Sequence, residues 1–316
     1  MLKVLIIIFS LSFLIGQDTF SIVAIDTETG EVGSAGASCV AGSPIISDIH
    51  PGTGVIHTQA LWNPINQDSA SVLMDNGNSP EEIISWLINN DAENNPSVRQ
   101  YGIIDLVNGG RAAAYTGENC YNYKSHVVGK NYVVLGNILL GQDILDTMET
   151  TFINQYGTLE EKLISSLMAA NIIGADSRCA QFGTPALSAF IRISSYNNLS
   201  DSLYLDINLN SVPKTTNPLD SLYTLYWQWK QSKYQKGDCN FDKILDIFDV
   251  LSLSDYLNQD HCNFDKILDI FDVLSLSDYL NQYLDITNYI SNTGDMNSSG
   301  SVEIIDLYLL LYEIIG

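Results

Sequence analysis

The acidic residues near the end of this chain recur at spacings that suit a divalent cation. Residues 239–259 repeat without change at 262–282, a period of 23, and a more divergent copy starts at Asp295. Set as a loop, the first copy puts Asp238, Asn240, Asp242, Ile244, Asp246 and Asp249 at positions 1, 3, 5, 7, 9 and 12. The third puts Asp295, Asn297, Ser299, Ser301, Glu303 and Asp306 at the same places. Oxygen side chains at those positions, with a main-chain carbonyl at position 7, can surround one Ca²⁺, because alternate spacing turns the early ligands toward one centre. The middle copy has His261 at position 1 and keeps Asn263, Asp265, Asp269 and Asp272, so the first and third copies rank above it. Lys243 and Lys266 occupy position 6, where a sharp turn favours glycine. An acidic, solvated helix pair is the bland alternative.

Other residues with chemistry to offer are scattered. Cys39 ends a run of small residues that includes Ser38, and could be a nucleophile or a buried structural thiol. His57 and His126 could move protons or be satisfied structural histidines. Asp176 and Arg178 sit in a glycine-flanked loop, where charged residues are often functional, or form an ordinary ion pair. Gln59, Asn63, Thr116 and Asn137 lie beside expected strands and could bind a substrate or satisfy backbone. No glycine-rich phosphate loop, paired-histidine zinc motif or Cys-x-x-Cys is present, so Ca²⁺ is the one cofactor indicated.

The elements that must carry these groups fall in two regions. The chain has 316 residues, 14 Lys and Arg against 37 Asp and Glu, and a net charge of −23. Such acidity repels phosphate backbones and argues against nucleic acid as a partner. A hydrophobic content of 46% excludes a disordered chain. Residues 237–316 hold a net −13 and the other 236 only −10, so two compositions meet near Lys236. At the start, Lys3 precedes an apolar run over 4–15, which reads as a signal peptide over 1–16, shorter than a spanning helix needs. Export to the cell surface or beyond is therefore expected, with no integral membrane segment after its removal. Export would permit disulfides, for example Cys120–Cys179 or Cys239–Cys262, between which the sequence does not choose.

Strands are expected over 19–25, 31–39, 54–61, 99–106, 111–116, 132–137, 184–194 and 201–209. Helices are expected from the Ser79-Pro80 cap to about 90, over 142–155 and over 159–172. Strands and helices in this alternation suggest an α+β fold with helices covering sheet faces.

Two resemblances add to this reading. Asp238-Cys239-Asn240-Phe241-Asp242 and Asp295-Met296-Asn297-Ser298-Ser299-Gly300 resemble the type I dockerin repeat. That resemblance spans 237–316, with repeats at 238–259, 261–282 and 295–316. It implies a small all-α, EF-hand-like module that folds on Ca²⁺ and pairs with a cohesin-like protein or cell-surface scaffold, in the setting of polysaccharide degradation.

Residues 19–232 resemble the DUF1028 family, grouped with N-terminal nucleophile (Ntn) hydrolases. The resemblance is carried by Thr19-Phe20-Ser21, Gly30-Glu31-Val32-Gly33, Ala37-Ser38-Cys39, Thr58-Gln59-Ala60, Asn63-Pro64, Arg99-Gln100-Tyr101-Gly102, Thr116-Gly117-Glu118, Gly136-Asn137 and Gly174 through Arg178. It implies a layered αββα domain acting on an amide, peptide or glycan-related substrate. Thr19 would be the nucleophile and its freed α-amine, with a pKa near roughly 8, the base. Main-chain N–H groups and Asn137 would hold the oxyanion, with Asp176 and Arg178 in the catalytic set and Ser38, Cys39, Gln59, Asn63 and Thr116 toward the substrate. Cleavage after Gly16 would leave Gln17 and Asp18 ahead of Thr19, whose nitrogen would then stay an amide. Either further trimming or a later cleavage frees it, or the domain is a non-catalytic Ntn-like binding protein; a calcium-rigidified surface protein is the remaining alternative.

Overall fold

A computed structural model describes residues 19–195 and 203–233. The chain divides into two compact units, Met1–Tyr226 and Trp227–Gly316. The three repeats, their calcium ligands, Cys239, Cys262 and the expected signal peptide lie outside the described residues.

The first hairpin shows how local sequence starts the fold. Strand β1 (Phe20–Asp26) turns back into β2 (Glu31–Ser38) through Asp26, whose Oδ1 accepts from the Glu28 amide at 2.8 Å, and Gly30, at φ 73°. That left-handed conformation suits glycine. β2 is Gly- and Ala-rich because its faces are crowded. A Cβ on Gly33 would meet Ile193 and Leu163 at 2.9 Å, and one on Gly36 would meet Phe190 at 2.8 Å.

Ten strands form two antiparallel sheets. Beyond the first hairpin they are β3 (Ser47–His50), β4 (Gly54–Ala60), β5 (Arg99–Asp105), β6 (Arg111–Thr116), β7 (Ser125–Val128), β8 (Tyr132–Gly136), β9 (Ser188–Ser194) and β10 (Leu205–Leu209). One sheet has the order β10-β9-β2-β1-β8-β7, the other β3-β4-β5-β6.

Helices α1 (Pro64–Asp75) and α2 (Pro80–Asn89) cover the smaller sheet through Ala70, Met74, Ile83 and Leu87 against Ile56, Tyr101 and Ile103. Both start with a capping side chain followed by proline: Asn63 Oδ1 accepts from the Ile65 and Asn66 amides, and Ser79 Oγ from that of Glu82. Helices α3 (Asp143–Asn154) and α4 (Leu159–Ala169) pack on the larger sheet, and α5 (Pro218–Lys233) closes the described chain. The two sheets meet through Val23, Ile25, Val32, Val55, Ile104, Val133 and Leu135. The result is a mixed α/β fold of helix, sheet, sheet and helix layers. No helix among the described residues is long and apolar enough to cross a membrane.

Several expected boundaries move. The strand expected over 184–194 starts at Ser188, and the helix expected to 172 stops at Ala169. β3, β7 and α1 were not expected. β3 and β7 are four-residue strands at sheet edges, too short to show a period.

Candidate active site

Between the sheets, the facing layer changes character along its length. Strand residues alternate faces, so Thr19 and Ser21 continue the side of Val23 and Ile25. On the same principle His57 and Gln59 follow Val55, and Gln100 and Gly102 precede Ile104. One end of the inter-sheet layer is thus apolar and the other polar. Thr19, Ser21, His57, Gln59, Gln100 and Asn137 are all 1% exposed or less. Gly102 lets the layers close, since a Cβ there would meet Leu135 at 2.9 Å.

Buried polar groups cost stability unless they find partners. Most here do. The two hydrogens of Gln100 Nε2 are shared among the Ser125 and Gly136 carbonyls, both at 3.0 Å, and Thr116 Oγ1 at 2.8 Å. Gln100 Oε1 accepts from Gln59 Nε2 at 2.7 Å and Asn137 Nδ2 at 2.9 Å. Ser21 Oγ donates to Gln59 Oε1 at 2.8 Å and lies 3.0 Å from His57 Nδ1. The Thr19 carbonyl accepts from the Asn137 amide at 3.1 Å and from Gln59 Nε2 at 3.4 Å. His126 Nδ1 lies 2.8 Å from Thr116 Oγ1. Burial, with a smaller push from Arg192, drives His57 down to about 3, so its ring is neutral at physiological pH.

Three buried atoms in this layer have no partner: Thr19 Oγ1, His57 Nε2 and Asn137 Oδ1. Each such atom costs ~1–3 kcal/mol. Their grouping in one polar layer marks it as built for something other than stability. Backbone strain points to the same place. Ala60 and Ile138, which directly follow Gln59 and Asn137, have φ of 67° and 54°. A β-branched residue in that region is an outlier, and such strain persists only where surroundings impose it. Ile138 is held by its amide to the Tyr121 carbonyl at 3.2 Å and by the Ser177 amide on its own carbonyl at 2.9 Å. Near Ala60, buried Arg99 donates to the Leu61 carbonyl and pairs with Asp91 at 2.8 Å. Burial pushes Asp91 up, but Arg99, the Asn95 and Glu93 amides and Asn66 outweigh it and hold the carboxyl below its usual range.

The expected site residues divide. Thr19, Gln59, Thr116 and Asn137 come together with Gln100 at their centre. Asp176 and Arg178 brace a loop: the buried carboxylate accepts from Arg178 at 2.6 Å and from the Cys39 amide at 2.8 Å, and caps a short helical turn from Ser177. Cys39 is neither nucleophile nor free ligand, because its sulfur is bonded to Cys179. That also corrects the Cys120–Cys179 pairing; Cys120 donates its thiol to the Arg99 carbonyl at 3.3 Å. Asn63 sits at the start of α1, where its oxygen caps the helix. Ser38 is buried and its Oγ accepts from the Val40 amide at 3.2 Å. Among the described residues no cluster of three or more His, Cys, Asp or Glu side chains could hold a metal.

Sequence reasoning missed Ser21 and Gln100 as members of the site. The available signal was parity: each is a polar residue at an inward position of a strand whose other inward positions are apolar or glycine.

Residues 19–222 match DUF1028, a family of unknown function. The chain belongs to that family. A crystal structure of protein SPO2555 from Silicibacter pomeroyi is similar at 24% identity and a TM-score of 0.56, covering 67% of this chain and 88% of that one. This likeness shows that the two share the fold. Two further solved structures match at TM-scores too low to support a conclusion about this chain. Anbu (ancestral beta-subunit) from Yersinia bercovieri is 11% identical at 0.33, covering 66% of this chain and 94% of that one. The Anbu Gly-1 mutant from Hyphomicrobium sp. strain MC1 is 9% identical at 0.38, covering 69% and 98%. No curated protein matches the chain. Within the DUF1028 stretch, the Arg99-to-Gly102 segment alternates its tasks: Arg99 and Tyr101 serve the helix-covered face, while Gln100 and Gly102 serve the site between the sheets.

Proposed function

We propose that this protein is an exported Ntn-type hydrolase of amide or peptide bonds, with Thr19 as nucleophile, tethered through a calcium-binding tail. The observation that carries the reading is the buried, unpartnered Thr19 Oγ1 at the head of β1, inside a polar layer that an otherwise apolar sandwich has no structural need for. Once processing frees its α-amine, that amine takes the Oγ1 proton as the oxygen attacks the amide carbonyl. The C–N bond then breaks, the proton passes to the leaving amine, and water hydrolyses the acyl ester to regenerate the threonine. Main-chain amides would hold the oxyanion. The Asn137 side chain fits that task less well than the sequence suggested, because the unpartnered atom of its amide is the oxygen.

The Cys39–Cys179 bond supports export, since disulfides persist in oxidising compartments. For the tail we propose a dockerin-like module whose phased oxygens take Ca²⁺, drawing folding free energy from the metal and offering a surface to a cohesin-like or cell-surface partner. Polysaccharide breakdown is the setting this proposal favours.

Intact-mass analysis of the exported protein tests the enzyme reading. A mature chain beginning at Thr19 is expected; a mature start at Gln17 favours a binding protein instead. Calorimetry with Ca²⁺ on the full chain tests the tail, where heat of binding abolished by chelator is expected and its absence removes the tethering proposal.

A further inference from the structure

The directions of the hydrogen bonds in the polar layer are fixed from one end. Gln100 Nε2 faces two main-chain carbonyls, those of Ser125 and Gly136, which can only accept. Its amide therefore cannot be flipped, and Oε1 must accept from both Gln59 and Asn137. Gln59 then turns its own oxygen toward Ser21, an orientation its bond to the Thr19 carbonyl reinforces. Ser21 has one hydroxyl proton and gives it to Gln59. Its oxygen can meet His57 Nδ1, 3.0 Å away, only if that nitrogen carries the proton. The proton on Nδ1 leaves Nε2 a bare lone pair.

We propose that Gln100 is the positioning residue of this layer, setting His57 as its Nδ1–H tautomer and turning Asn137 Oδ1 away from itself, so that the layer offers acceptors to a ligand rather than donors. Both atoms are buried and unpartnered, as that assignment requires. The chemistry of the ligand is set accordingly: the group seated against Asn137 is a hydrogen-bond donor, an N–H or O–H such as an amide or amine carries, and not an anion. Identifying that donor as a substrate amide or the freed Thr19 amine rests on the hydrolase reading. The tautomer does not.

The test is ¹⁵N NMR of the full chain, with the His57 ring signals identified by their loss in His57→Asn. Wild type is expected to show the Nδ1–H tautomer, against the preference of a solvent-exposed histidine side chain for Nε2–H. Ser21→Ala removes the bond that holds the proton on Nδ1 and should move the tautomer ratio roughly tenfold toward Nε2–H. Gln100→Met releases Gln59 and should move it the same way. An Nε2–H tautomer in wild type overturns the proposal, as does an unchanged ratio in Ser21→Ala, which keeps the test decisive if Gln100→Met does not fold. Loss of the hydrolase reading would leave these signals as predicted, so the two failures are told apart.

Discussion

Replacing His57 with asparagine should take away part of the acid sensitivity of this fold, by an amount the structure sets. His57 is fully buried and held down to about 3. In the unfolded chain its ring titrates near its ordinary value of 6.5. Between those values the unfolded state binds a proton that the folded state refuses, so stability rises with pH. This contribution is complete above the unfolded value and is lost as pH falls toward the folded one. From about pH 7.5 to about pH 5, one such group removes about 2 kcal/mol. Glu31 acts with the opposite sign. Burial and the nearby Glu160 raise it to about 7, so its contribution is present below its unfolded value and is lost as pH rises through the folded one. Both chains share Glu31, so it cancels in the difference. Asparagine can place an N–H near the former Nδ1 and keep Ser21 bonded without titrating. Urea unfolding of both proteins at the two pH values should show wild type losing about 2 kcal/mol more than the variant. Equal losses would show that His57 is not a buried neutral ring, and the reading of the polar layer would fail with it.

Other consequences of the structure can be measured directly. Gly102→Ala drives a methyl group against Leu135 and Val133, at 2.9 and 3.2 Å, and should cost ~1–3 kcal/mol in chemical denaturation; an unchanged midpoint would mean the sheets are not in close contact there. Asp91→Asn removes the buried one of the two carboxylates on Arg99, which is 1% exposed, and leaves Glu93 at 2.6 Å; it should cost about 3 kcal/mol, whereas a loss under ~1 kcal/mol would place that ion pair in solvent. Substituting Cys39 and Cys179 together by alanine opens a link across 140 residues and should cost ~2–5 kcal/mol; thiol titration finding both sulfurs reactive in the denatured, unreduced wild type would show the bond is absent.

Much of the layered architecture is legible in the sequence because strands and helices announce themselves by period and cap. The capping box at Ser79 and Glu82 and the glycine turn at Gly30 correspond to particular hydrogen bonds in the fold. The Asn63-Pro64 pair carries the same signal as Ser79-Pro80, yet α1 went unexpected because its body is polar and buries only Asn66, Ala70 and Met74. The site was legible in part. Thr19 stands out through the family resemblance, and Asn137, Gln59 and Thr116 as polar groups beside strands. Gln100, the partner of the last three, does not, because what makes it central is that β5 lies opposite β1 and β8 across the sandwich, a contact between residues far apart in sequence. The pairing of Cys39 with Cys179 was hidden for the same reason. The local partners of Asn63 and Asp176 were equally hidden: the oxygen of one caps α1 and the carboxylate of the other braces a loop against the Cys39 amide.

The central claim is that Thr19 Oγ1 becomes the attacking atom once the α-amine is free. A hydroxyl-reactive acylating probe, such as a β-lactone, applied to the mature exported protein tests it, with the adduct located by peptide mass spectrometry. One acyl group on Thr19, absent from Thr19→Ala and from a chain retaining Gln17 and Asp18, is the result expected. Amide hydrolysis by a chain that still carries those two residues, or an adduct on any other side chain with Thr19 unmodified, would contradict it.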